Sequence, residues 1–538
     1  MKLFNIKAKH IVVGALGLFL SFSAMSCVKD LEREPITDPS STNLYTDFNN
    51  YPSLLAKLYG GLALGGQEGG DGNSDIGGID GGFSSYMRQM FYHQVLPTDE
   101  AKIAWQDGTL PQMNTQTWTA SNEFVAALYY RIYGEIAFTN EFIRNTTDEK
   151  LAANGITGSN LEEAKAMRAE ARFLRAQSYY HALDLYGNVP FVDENYMSGG
   201  AQKPARIERA ALFDWVESEL LAVQDELKDP RTNVYGRVDK AAAWAVLARL
   251  YLNAEVYNGT KRYDDVITYT EKIINAGYSL KKDLLGGVDY GYQNLFMADN
   301  HLNNPEVIFA INYDGNKTRT FGGTTFLVHA AIGGSMPASD FGVNGGWGGL
   351  RVTKQFVGLF PEDGSDKRGR FYTDGQSLDI SEISDFKQGY AFIKYKNINF
   401  SDGSAGSDTG GDFVDADLPL YRLGDVYLMY AEATVRGGNG NMATALGYVN
   451  QLRKRAGATP AVSLSLDFLL AERARELSWE MTRRTDLIRF GKFTGSSMLW
   501  QWKGGSKEGA SVAEYRNLYP IPTNDVIANS NLIQNPGY

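Results

Sequence analysis

Apolar residues recur at three- and four-residue spacings through most of this chain, the period of helices that bury one face. The pattern predicts a first helical region over Asn43–Leu64, then a glycine-rich loop from Gly65 to Gly82. Further helices are expected over Asn122–Asn145, Asn160–Tyr186, Leu212–Leu227, Asp239–Tyr257 and Tyr263–Asn275. Between about 280 and 415 the periodicity fades: Gly, Asn, Asp and Thr become frequent and apolar runs shorten. Helices resume over Leu420–Val435, Met442–Ala456 and Leu466–Thr485, with a turn near Arg489. The expected fold is mainly α, a single domain over 43–538. A helical-pair scaffold fills 43–280 and 415–538, and a long, irregular, loop-rich insertion fills 281–414.

The helices carry a repeat. Trp244-Ala245-Val246-Leu247-Ala248-Arg249-Leu250-Tyr251 fits the start of a tetratricopeptide unit, with Ala in the glycine position. Leu423-Gly424-Asp425-Val426-Tyr427 repeats the step, Ala176 with Tyr179 does so more weakly, and Gly134 with Ala137 is a fourth candidate. The small residue is expected to admit a paired helix and the tyrosine to fill the space one turn later. Each pair leaves an apolar face that only a neighbouring pair covers, so such units stack. Trp244 is expected in the core, and core packing is also the default for Trp118, Trp479, Trp500 and Trp502.

The first residues follow another logic. Lys2, Lys7 and Lys9 precede an apolar run from Ile11 to Phe22, then the small residues Ala24 and Ser26, then Cys27. A basic start, a short apolar stretch and small residues at a cleavage point describe a secretory signal. About a dozen apolar residues are too few to span a hydrocarbon layer of about 30 Å. Cys27 is the single cysteine of 538 residues. At the first mature position it reads as the lipidated residue of a bacterial lipoprotein, with 1–26 as signal peptide and 27–42 as tether. The alternative is an ordinary signal peptide with a chance cysteine. The charged Val28–Glu34 stretch suits a soluble tether.

Composition narrows the function. A net charge of −11 argues against nucleic acid as a partner, which calls for a basic footprint. The 31 Tyr, 27 Phe and 8 Trp, with 57 Gly, suggest carbohydrate contact on an exported protein, although tyrosines also fill helix interfaces. The five histidines, His10, His93, His181, His301 and His329, form no metal-ligand spacing. There is no nucleophile elbow and no phosphate-binding glycine loop. Asp99-Glu100 is the most tempting carboxylate pair, but adjacent residues rarely flank one bond, so a structural role is expected.

Several segments together resemble one family. They are Leu96-Pro97-Thr98-Asp99-Glu100 with Ala104-Trp105-Gln106; Ala169–Ala176; and Leu185-Tyr186-Gly187-Asn188-Val189-Pro190-Phe191. Gly236-Arg237-Val238-Asp239-Lys240-Ala241-Ala242, Arg475-Glu476-Leu477, Arg483–Gly491 and Tyr519-Pro520-Ile521-Pro522 complete the set. In this order they are similar to the SusD/RagB family of outer-membrane lipoproteins, and most of all to its starch-binding members. The resemblance implies a non-enzymatic, cell-surface glycan-binding protein on a tetratricopeptide-like scaffold. It would be anchored in the outer membrane through Cys27 and would pass starch or maltooligosaccharides to a SusC-type TonB-dependent transporter.

The same resemblance places ligand contacts on Trp105, on Phe321 in Thr-Phe-Gly-Gly, and on Trp347 in Asn-Gly-Gly-Trp. Phe321 stands where a tyrosine is usual and lacks its hydroxyl. Arg88 would offer a fork of donors to a vicinal diol and Asp80 acceptors. The loop after Trp105 is one residue short, so Asp107 or Gly108 occupies the region of a family asparagine. Relatives can hold a structural calcium, but the Asp299–Glu306 loop is shortened and no metal or other cofactor is assigned. Three alternatives stay open: another glycan such as a fructan or xylan fragment, a structural transporter lid with a vestigial sugar site, and an exported hydrolase.

Overall fold

The computed structural model describes residues 44–70, 74–196 and 202–538. The expected signal peptide, Cys27 and the tether lie outside the described residues.

The first helix, α1 (Tyr51–Ala63), lies against α3 (Glu123–Asn145) and α4 (Gly158–Leu185), which pack along each other. Asn122 starts α3 by accepting from the backbone N–H groups of Phe124 and Val125, both at 3.0 Å. Between α1 and α3 sits α2 (Tyr86–Gln94), every residue of which is buried. The chain continues through α5 (Arg209–Val223), packed on α4, to the paired helices α6 (Lys240–Leu252) and α7 (Tyr263–Asn275). Asp239 caps α6 through the Ala241 N–H at 2.9 Å.

The region 281–414 holds only short elements, among them α8 (Gly323–His329). After it come α9 (Leu423–Val435), α10 (Met442–Arg455), α11 (Leu466–Leu477) and α12 (Arg483–Arg489). Helix α9 packs on α10 and α11 and also meets α7, so the helices before and after the insertion form one stack. Two antiparallel ladders tie the insertion in. Strands β1 (Lys102–Ile103) and β3 (Leu350–Arg351) pair with Lys102 opposite Arg351, and β2 (Val307–Ile311) pairs with β4 (Leu418–Arg422).

Several expectations need correction. Residues 420–422 belong to β4, not to a helix. The expected helix Leu466–Thr485 breaks after Leu477, where Trp479 and Met481 both take φ of 59°. That turn aims the Trp479 N–H at the buried Glu100 carboxylate, 3.0 Å away. At the repeat step Leu423–Tyr427, Tyr427 stacks on Tyr448 of the partner helix, with centroids 4.3 Å apart and planes 9° apart. The small residue has another cause: a Cβ on Gly424 would lie 2.2 Å from the Arg422 guanidinium and 3.0 Å from the Glu476 carboxylate. The fourth candidate fails, since a Cβ on Gly134 would meet nothing within 4 Å. Trp244 is half-buried, its indole donating to Gln224 at 3.1 Å, whereas Trp118, Trp479 and Trp500 are fully buried.

Candidate functional site: an aromatic face built from distant segments

The β1–β3 ladder decides where the two candidate tryptophans go. Trp105 lies two residues after β1 and Trp347 three residues before β3, so antiparallel pairing brings them together across 242 positions. The Ala104 N–H donates to the Gly349 carbonyl at 2.9 Å, and the Trp105 indole N–H donates to the Trp347 carbonyl at 3.0 Å. The ring centroids are 6.3 Å apart with planes tilted by 45°. A Cβ on Gly349 would lie 2.8 Å from the Trp105 ring, so that ring rests on bare backbone. Trp347 stacks on His329 of α8 at 4.6 Å and 18°, which covers one of its faces. His329 is held by a hydrogen bond to the Gly345 carbonyl at 2.7 Å. Burial lowers its pKa from the ordinary histidine value and so favours the neutral ring.

Phe321 joins from the segment leading into α8. It meets Trp347 edge to face at 5.7 Å and stacks on the buried Phe413 at 5.2 Å and 21°. Trp105, Phe321 and Trp347 are all half-buried. The structure thus brings these rings into one contiguous face. His329, Phe413 and Phe83, which meets Trp105 edge-on at 6.3 Å, belong to it too. Sequence reading missed these three because nothing near them in the chain marks them as backing for a distant ring.

Arg88, on α2, is 4 % exposed and sits beneath the face. Its guanidinium lies 5.3 Å from the Trp105 ring centre, 5.9 Å from that of Trp347 and 4.4 Å from that of Phe83. Nε donates to the Tyr92 hydroxyl at 2.7 Å, and Nη1 donates to the Gly82 carbonyl at 2.7 Å and the Phe321 carbonyl at 2.8 Å. The fork expected to be free for a diol is therefore engaged on two of its three nitrogens. Among the described residues Nη2 has no hydrogen-bond partner. Burial pushes the Tyr92 phenol up to about 12, against the lowering effect of Arg88.

Asp80 and Asp107 are exposed. Asp80 caps the short turn Gly81–Phe83, accepting from the Gly82 N–H at 2.9 Å, and so stands at the entry to α2. Asp107 lies two residues past Trp105, and its charge raises the Tyr92 pKa slightly. The shortened loop is docked on α3: Thr109 N–H donates to Glu123 at 3.0 Å, and a Cβ on Gly108 would collide with the same carboxylate.

The tempting Asp99–Glu100 pair is structural in its contacts. Both Asp99 oxygens accept from Arg483, at 2.8 and 2.7 Å, and Glu100 holds the Trp479 backbone. Burial pushes the Glu100 carboxyl up to about 8. In the Asp299–Glu306 loop, Asp299 accepts from the backbone of Phe400 and Ser401, and Glu306 pairs with Arg422 and Arg455. Among the described residues, no helix is long and apolar enough to cross a membrane.

A family model described as "SusD family" matches residues 379–538, and another, "Starch-binding associating with outer membrane", matches residues 84–252. The chain belongs to the SusD family. It is 34% identical over 98% of its length to "Starch-binding protein SusD" of Bacteroides thetaiotaomicron, covering 99% of that protein. Its fold is also that of a SusD-like carbohydrate binding protein from Bacteroides fragilis. That match has a TM-score of 0.69 and 20% identity, over 91% of this chain and 100% of the other. A surface glycan-binding protein A from Bacteroides fluxus matches with a TM-score of 0.67 and 20% identity, over 91% and 99%.

Proposed function

We propose that this chain binds starch-derived α-glucans on the face formed by Trp105, Trp347 and Phe321, without catalysis. It delivers them to a SusC-type TonB-dependent transporter and is held at the outer membrane, on the cell surface, by lipid on Cys27. One observation carries the ligand reading: three half-buried rings, from segments far apart in sequence, meet in one face whose members are pinned from behind. Sugar rings present an apolar C–H side, and covering it removes apolar area from water at about 25 cal/mol per Å². The 45° tilt between the indoles and the 79° angle between Trp347 and Phe321 make the face curved, which suits a bent glucan better than a flat ribbon. His329 supports Trp347 by covering one of its indole faces.

In this reading Arg88 holds the face together, and its Nη2 is the donor left for a hydroxyl. Asp80 and Asp107 supply acceptors at the edge. The starch-binding relative supports the ligand class, and the "associating with outer membrane" model supports the location.

Isothermal titration with maltoheptaose, a fructan and a xylan fragment, followed by a reducing-end assay on each mixture, tests this. Binding of maltoheptaose alone, with no new reducing ends, is expected. Preference for fructan or xylan would transfer the face to another glycan, and new reducing ends would overturn the non-catalytic reading.

A further inference from the structure

A second feature lies three residues upstream of Phe321. A cavity of about 440 Å³ opens between α1, β2 and the segments around Tyr235 and Thr318. This volume lies in the range of small-ligand sites. Most of its lining is apolar or small, and one wall is the ring of Tyr235, which is 43% exposed. That exposure does not mean mobility, because the Tyr235 hydroxyl donates to the buried Asp417 at 2.8 Å. Tyr59 is pinned as well: its hydroxyl donates to Glu170 at 2.6 Å and accepts from the Val238 N–H at 3.0 Å. A site whose walls are fixed in advance loses little entropy on binding.

The polar groups suit a neutral, hydroxylated ligand. Asn312 is exposed, and its amide lies over Gly236, which takes φ of +82° so that no Cβ intrudes. Among the described residues that amide has no hydrogen-bond partner. The two cations at the cavity are matched: Lys317 faces Asp314 at 3.3 Å and Arg237 faces Glu170 at 2.6 Å. A pinned aromatic ring, a free amide and no net uncompensated cation favour a sugar over an anion.

Proximity then links the two sites. Thr318, on the cavity wall, and Phe321 are three residues apart, so their Cα atoms lie within about 11 Å. We propose that this cavity is a second saccharide subsite, taking the continuing end of the glucan whose other end lies on Trp105, Trp347 and Phe321. The subsite rests on the α-glucan reading above.

The test uses the full mature chain carrying Cys27→Ser, titrated with maltotriose and maltoheptaose, alone and as the Tyr235→Ala and Asn312→Ala variants. Crystals grown with maltoheptaose are examined in parallel. Glucan density against both Trp347 and Tyr235 is expected. Tyr235→Ala is expected to weaken maltoheptaose about 3- to 10-fold while leaving maltotriose unchanged. Asn312→Ala, at an exposed side chain, is expected to act in the same direction. Density on the tryptophans alone, with unchanged maltoheptaose affinity in both variants, would overturn the subsite and leave the main face intact. Wild-type chain that binds neither glucan would overturn both.

Discussion

Gly349 shows how much of the candidate site rests on single atoms. A methyl group there would sit 2.8 Å from the Trp105 ring, well inside contact distance, and the ring would have to move. Gly349→Ala is therefore expected to weaken glucan binding about 10-fold with little change in melting temperature, measured by titration and calorimetry. An unchanged affinity would mean that the position of Trp105 does not matter to the ligand. At this scale the sequence was partly legible. Trp105 and Trp347 stand in polar, glycine-rich contexts where a large apolar ring has no local core to fill, which marks them as candidates. The setting of Arg88 was not legible, because two of its three partners are backbone carbonyls, at Gly82 and Phe321, one of them 233 residues away. Nor could His329 be recognised as the support behind Trp347.

Helix α11 anchors the insertion to the scaffold through buried charge. Glu476 accepts from Arg368 at 2.9 Å, Arg422 at 2.8 Å and Arg455 at 2.6 Å, all almost completely buried. Burial alone would push its carboxyl up, but these three guanidiniums overcome that and hold it well below the usual carboxylate range. In the same way Arg489 and its neighbours hold Glu432 at about 2, and Arg249 and Arg473 hold Asp425 at about 2, each against burial. A depressed folded pKa contributes stability that is fully present above the unfolded value, about 4, and is lost as pH falls toward the folded one. Glu100, raised by burial, works in the opposite sense between about 4 and 8, so a comparison with a variant isolates the effect. Glu476→Gln is expected to cost about 3–5 kcal/mol at pH 7, by denaturant unfolding. The gap should narrow as pH is lowered below 4, and a gap that stays constant to pH 3 would contradict this role.

Burial and long-range contacts explain which elements the sequence revealed. Amphipathic helices such as α7 were predicted to their ends, because one face is wet and the period shows. Helix α2 was missed because its polar residues Arg88, Gln89, His93 and Gln94 are buried together with its apolar ones, so no wet face sets a period. The break between α11 and α12 was missed because it is set by the Trp479 turn toward Glu100, a contact 379 positions apart.

For the whole molecule, chain order and function meet in the two short ladders. The β1–β3 ladder joins a segment before α3 to one inside the insertion and so assembles the face. The family was legible from ordered motifs spread along the chain. The cavity at Tyr235 was not, since its walls come from α1, β2 and two loops with no shared sequence signature. The central claim is that Trp105 and Trp347 together carry the glycan. Its most direct test is isothermal titration of maltoheptaose into wild-type mature chain and into the Trp105→Ala, Trp347→Ala double variant, each checked for an unchanged melting profile. Measurable binding by the wild type that falls at least about 100-fold in the double variant is expected, given roughly 1.4 kcal/mol or more from each ring. Equal binding by both proteins, or none by the wild type, would contradict it.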